Sequence, residues 1–383
     1  MDKKALRMIP KQTLKTILIT ALLLSLASCN LPNTGTKVTP PVPFPTNTAV
    51  STLQAITPTQ HSLPPTYTVT VENTPKANPK LIQVENVSNL TNTQNLQVNE
   101  PVRMKWSLDQ ISFILIGYQS FWVYSFPQLE LLYKADFQPE EMLIDFSPNG
   151  EEYAVTFNQS SILIKNWKDN SIRKIQTDIN FIYGEYSPDG SQIILDQAEV
   201  WAGDIYDVAS GKKVVTLTGF ETAAPVFSVS FGADGAHAIW QARATIQVSD
   251  IASNTLGSAI YHEDFLTSYA LSPNGKILAT STDQMKGEQL IPQVFFYQPM
   301  SGEPLGSVEL SIPAYSMDFS PDSTLLAAVD GTHLVIIDSR QMNEVARFSQ
   351  DVDSINQVLF SPDGTMITTI GSDQLVRFWQ VNP

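Results

Sequence analysis

The side chains in this sequence best suited to nucleophilic attack or metal ligation are few: one cysteine, Cys29, and four histidines, His61, His237, His262 and His333. The histidines are scattered, with none of the short spacings that bring ligands onto one metal ion. Asp-Gly and Asn-Gly pairs recur along the chain, but none carries the alternating acids of a calcium-binding loop. Nucleophile elbows, phosphate loops, His-Glu-x-x-His segments and dinucleotide fingerprints are missing from the sequence. These residue types predict no catalytic residue, no metal and no cofactor, and therefore a protein that binds rather than catalyses.

The cysteine has a context of its own. Lys3, Lys4, Arg7, Lys11 and Lys15 precede and enter an apolar run, Leu14 to Leu26, which ends at the small residues Ala27 and Ser28. That is the layout of a secretory signal peptide. The run is shorter than the roughly 20 residues an α-helix needs to cross a hydrocarbon core. Leu26-Ala27-Ser28-Cys29 resembles the bacterial lipobox. The resemblance implies cleavage between Ser28 and Cys29, diacylglycerol on the Cys29 thiol, and further acylation of the new amino group. The expected localisation is outside the cell, held by lipid to the outer face of the cell membrane, or to an outer membrane if the source has one. Leu31-Pro32-Asn33-Thr34-Gly35 matches a sortase pentapeptide, but at the wrong end of the chain, and is read as chance.

Beyond Cys29, residues 31–80 contain ten prolines and twelve threonines. Proline removes backbone donors and fixes φ, so neither helix nor sheet propagates, and a disordered tether is expected. The expected organisation is signal peptide 1–28, lipidated tether 29–80 and a folded domain 81–383. Net charge is −15 for the whole chain, and residues 1–28 hold five of its cations against Asp2 alone. The folded part is therefore more acidic still. Such a surface repels phosphate backbones and argues against nucleic acid as a partner.

Positioning in that domain is governed by a repeat. Phe146-Ser147-Pro148-Asn149-Gly150 recurs at Tyr186–Gly190, Leu271–Gly275, Phe319–Ser323 and Phe360–Gly364, with degraded copies at Phe231–Gly235 and Trp106–Gln110. An alternating apolar segment precedes each copy and two more follow, as in Met366–Ile370 and Leu375–Val381. A fourth is visible between copies, as in Lys213–Leu217. Four short strands at a period of about 40–45 residues mark a propeller blade. Seven copies predict an all-β fold, a seven-bladed β-propeller of four-stranded antiparallel blades. The last blade lacks a fourth strand downstream, so one from upstream, near Leu90–Leu96, is expected to close the ring.

The repeats resemble the WD-repeat family over about residues 90–383, most closely at Gly371–Trp379. The resemblance implies a protein-interaction module. The departures are a Trp-Asp pair that is never intact and no Gly-His dipeptide. The family's buried His–Asp–Ser/Thr–Trp network is therefore not expected, and blades are expected to rely on apolar packing. Trp106, Trp122, Trp167 and Trp379 are expected in the core, whereas Trp201 and Trp240 are candidates to line a pocket. Two insertions interrupt the pattern: Gly219–Ala224 between the third and fourth units, and a loop around Asp283–Leu290 inside the fifth. Both are expected on one face of the ring, which makes Phe220, Glu221, Thr222, Gln284, Met285, Lys286, Glu288 and Gln289 candidate binding residues. The resulting expectation is a membrane-anchored, monomeric propeller that binds an unidentified protein or glycan. The alternatives are an enzyme or enzyme subunit acting on envelope or extracellular glycan through the central pocket, and an accessory lipoprotein of envelope assembly.

Overall fold

The computed structural model describes residues 80–381, except 101–102, 158–159, 198–201, 220–227, 287–288 and 351. The Ser28–Cys29 junction and the tether lie outside the described residues. So do Phe220, Glu221, Thr222, Glu288, Trp201 and the side chain of Lys286.

Period-two alternation of apolar residues produces short strands, and the repeat stacks them into seven antiparallel sheets. These blades span 103–136, 143–176, 181–218, 228–261, 268–309, 317–349 and 355–381. In blades one to six the strands pair in chain order, and first strands of neighbouring blades pack together at the centre of the ring. The outer strand of blade four is broken into Thr255–Leu256 and Ile260–Tyr261. Gly257 sits at the break because a Cβ there would lie 2.5 Å from the Met300 carbonyl oxygen of blade five.

Blade seven is closed as the sequence predicts. Leu90–Gln97 pairs antiparallel with Leu375–Val381, in a register running from Leu90↔Val381 to Gln97↔Leu375. Pairing the two ends of the domain removes a free sheet edge. Aromatic packing seals the junction with blade one: Trp106 lies 4.8 Å from Phe113 and from Phe126, and Phe113 lies 5.3 Å from Phe378. Trp106 Nε1 also donates to Thr368 Oγ1 of blade seven at 3.2 Å.

The Ser-Pro-Asp-Gly element joins the first and second strands of a blade. In blade seven Ser361 Oγ donates to Asp363 Oδ1 at 2.7 Å and accepts the Met366 N–H at 3.0 Å, while Gly364 takes φ +70°. The same serine-to-carboxylate bond recurs at Ser107–Asp109, Ser187–Asp189 and Ser320–Asp322. The degraded copy at Trp106–Gln110 still folds this way because Gln110 adopts the positive φ that glycine supplies elsewhere, as Ser323 does in the Phe319–Ser323 copy. The motif's serines are buried, so their role is structural.

Apolar clusters fill the wedges between blades. Trp106, Trp122 and Trp379 belong to them as expected. Trp167 is only half-buried and donates to the Gly150 carbonyl at 2.7 Å. Trp240 corrects the pocket expectation. It is 1% exposed, packs in the core of blades three and four, and donates to Ser249 Oγ at 3.0 Å.

Candidate functional site

The ring has two faces that differ in chemistry. One, the turn face, carries the Ser-Pro-Asp-Gly turns. The other, the connection face, carries the links between blades and the turns between second and third strands. A central channel joins them.

The innermost strand of every blade offers one edge to this channel, and its backbone groups need partners there. The residue just before each repeat aromatic supplies several of them. At this register position stand Lys105, Asp145, Glu185, Ser230, Ala270, Asp318 and Leu359 in blades one to seven. Asp145 Oδ2 accepts the Tyr186 N–H of the next blade at 3.1 Å, and Asp318 Oδ2 accepts the Phe360 N–H at 2.7 Å. Glu185 Oε1 accepts the Phe231 N–H. Gln357 spans the closing junction, accepting the Met104 N–H at 2.6 Å. Lys105 Nζ pairs with Asp145 Oδ2 at 2.7 Å and donates to the Phe146 carbonyl at 2.6 Å. Side chains at the channel thus staple neighbouring blades.

Lys105, Asp145, Glu185 and Asp318 line a cavity of about 400 Å³ on the turn side, together with Tyr269, Ile239, Leu271 and Met317. Desolvation dominates its electrostatics. Burial pushes Glu185 up to about 8, with the nearby Asp145 charge adding to the rise and the Phe231 N–H opposing it. Burial likewise pushes Asp318 up to about 7, against the pull of the Phe360 and Phe319 N–H groups. Among the described residues, no three His, Cys, Asp or Glu side chains are grouped to hold a metal ion. These channel residues are not among the sequence-predicted site residues. Their signal was available, at the position before each repeat aromatic.

The connection face is apolar and aromatic. Among the described residues, six aromatic side chains are more than a third exposed: Tyr118, Phe157, Tyr183, Tyr261, Phe265 and Tyr315. All six stand on this face. Tyr118 and Phe157 occupy turns between second and third strands, and Tyr261, Phe265 and Tyr315 stand at the links flanking blade five. Tyr183 lies near the start of an innermost strand. The sequence-predicted insertion in blade five is also here, but it is not a loop. Leu278–Lys286 and Gln289–Tyr297 continue as one ribbon, paired down to Lys286↔Gln289. Backbone pairing extends because the inserted residues on both sides keep strand register. Met285 and Gln289 are exposed on it and Gln284 is half-buried.

The family model described as "WD domain, G-beta repeat" matches residues 342–380. That stretch begins just before the outer strand of blade six, Asn343–Ser349, and runs through the three strands of blade seven encoded at the end of the chain. The same four-stranded unit recurs seven times in one closed ring. The chain is a seven-bladed β-propeller whose last blade is similar to a WD repeat. No curated protein matches it.

Parts of the WD-repeat polar network persist in two blades. In blade seven Trp379 Nε1 donates to the buried Thr369 Oγ1 at 3.0 Å, and Gln350 Nε2 donates to the same oxygen at 3.2 Å. In blade five His262 Nε2 lies 3.3 Å from Thr280 Oγ1, with Tyr297 edge-on to the imidazole. Burial lowers His262 to about 4, so the ring is neutral at pH 7. Neither blade shows the full His–Asp–Ser/Thr–Trp set, but a glutamine in one and a histidine without its preceding glycine in the other reach the equivalent threonine. A dipeptide search cannot find either one. WD-repeat propellers generally serve as protein-interaction scaffolds, and among the described residues this one carries its exposed aromatic side chains on a single face.

Proposed function

We propose that the chain is an extracytoplasmic, lipid-anchored interaction module whose connection face docks a partner protein. One observation carries the reading: every exposed aromatic among the described residues stands on that face. Aromatic side chains bury large areas at low entropic cost and dominate the hot spots of protein interfaces. The entry point of the chain supports it. Residues 80–82 lie on the turn face, where the Ile82 N–H donates to the Gly364 carbonyl at 3.0 Å. The described chain thus enters the domain on the face opposite the exposed aromatics. The lipid on Cys29 rests on the lipobox resemblance.

A photo-crosslinking amino acid placed at Tyr118, Phe265 or Tyr315 in intact cells should yield discrete protein adducts. The same probe at Ile111 or Ile172, exposed elsewhere on the ring, should yield none. Equal adducts from both sets would rule out the face assignment.

Converging carboxylates at the channel are the one observation that favours a catalytic reading. Against it, Asp145, Glu185 and Asp318 are each already accepting a backbone N–H from the next blade. That engagement favours a structural role, and we take the domain as non-catalytic.

A further inference from the structure

The aromatic residues of the connection face are unevenly held. Around blade five, the two flanking links and the ribbon between them are pinned by a dense set of hydrogen bonds. In the link from blade four, the Met285 N–H donates to Glu263 Oε2 at 2.8 Å and Thr282 Oγ1 donates to the Phe265 carbonyl at 3.0 Å. The His262 N–H donates to the Ala244 carbonyl at 2.8 Å. In the link to blade six, Ala314 donates its N–H to Ser281 Oγ at 2.7 Å and accepts Thr267 Oγ1 and Ser268 Oγ at 2.7 Å each. Buried Asp330 accepts the Ser311 and Ile312 N–H groups at 2.9 and 3.1 Å. The backbones that display Tyr261, Phe265, Met285, Leu290, Ile312 and Tyr315 are therefore preorganised, which lowers the ordering cost of binding.

Apolar residues on this sector are strongly exposed: Tyr261 at 73%, Tyr315 at 62%, Phe265 at 55%, and the ribbon-tip pair Met285 and Leu290 at 48% and 52%. Met285 and Leu290 face each other across the ribbon. Carboxylates surround them. Glu263 and Asp264 immediately precede Phe265 in sequence, and Asp283 is held above the usual carboxylate range by partial burial and by the like charge of Asp264. The chemistry of a cation against these rings is already present once, where the Arg243 guanidinium lies 5.1 Å from the Phe265 ring centre. Exposed aromatic rings beside carboxylates suit a guanidinium or ammonium carried on an apolar segment.

We propose that the blade-five sector binds a segment of a partner protein that presents arginine or lysine beside apolar side chains. This rests on the docking-face reading above and names the partner's chemistry and the part of the face that selects it.

The test pans the full chain against a phage-displayed library of random peptides and measures the enriched peptides by fluorescence anisotropy. Enriched peptides should be cationic and apolar, and should bind more weakly as sodium chloride rises. They should lose at least tenfold in affinity for the Phe265→Ser/Tyr315→Ser variant. Asp264→Lys should also weaken them, whereas the distant pair Tyr118→Ser/Phe157→Ser should leave them unchanged. Circular dichroism checks that each variant keeps its sheet signal. Enrichment of neutral or acidic peptides overturns the proposed chemistry. Loss of binding with Tyr118→Ser/Phe157→Ser but not with Phe265→Ser/Tyr315→Ser overturns the sector and leaves the docking face standing. Peptides insensitive to both pairs overturn the sector and the docking face together.

Discussion

Replacing Glu185 by glutamine should stabilise the propeller, and by an amount that grows with pH. The side chain accepts the Phe231 N–H, a role glutamine's carbonyl oxygen can keep, but desolvation holds its carboxyl near 8 instead of 4.5. An acid raised in the folded state contributes fully below its unfolded value and loses that contribution as pH rises through the folded value. Each tenfold change in proton affinity is about 1.4 kcal/mol, so the full swing from pH 4 to pH 9 is on the order of 5 kcal/mol. Because the channel admits water, a net effect of about 1–3 kcal/mol is expected. For a domain of this size that corresponds to roughly 2–8 °C in melting temperature. The assay is thermal unfolding of wild type and Glu185→Gln by circular dichroism at pH 5 and pH 9. The variant's advantage should be small at pH 5 and reach its full size at pH 9. An advantage of equal size at both, or one that shrinks at pH 9, would refute the desolvation argument.

Thr369→Val should cost about 1–3 kcal/mol in urea unfolding, because it strands the buried donors of Trp379 and Gln350 at a site that keeps its shape. Leu96→Ala, in the strand that closes blade seven, should cost about 2–5 kcal/mol by the same measurement, since the side chain is fully buried between blades seven and one. Removing 284–289 and rejoining the ribbon should leave the melting temperature within about 2 °C while lowering adduct yield from a crosslinker at Phe265, because the ribbon tip projects beyond the core. Cys29→Ser should abolish metabolic labelling with radioactive palmitate and release the protein from the membrane fraction; retention there would contradict the lipobox reading.

The repeat made most of the fold legible. Phe-Ser-Pro-Asp-Gly states its own local structure, since a serine cap, a proline-set φ and a residue tolerant of positive φ specify one turn wherever they occur in order. Hence the strand count, the blade count and the closing strand near Leu90–Leu96 all agree with the structure. Local pattern also fails where a role can be filled by more than one residue type. Gln350 and His262 reach their threonines without a Gly-His dipeptide, and Asp283–Leu290 reads as a loop although its backbone pairs as a ribbon.

By itself, the sequence determined the all-β class, the seven units, the closure and the face on which the inserted segment would stand, because each depends on short-range pattern repeated in register. Only the tertiary structure decided which residues share the channel and which share the connection face. Lys105, Asp145, Glu185 and Asp318 are spread over two hundred residues of chain and become neighbours only when the ring closes. The raised proton affinities of Glu185 and Asp318 come from that closure, since desolvation depends on what surrounds a carboxyl. The gathering of the exposed aromatics on one face has the same origin: each belongs to a different link or strand, and the common axis of the blades aligns them.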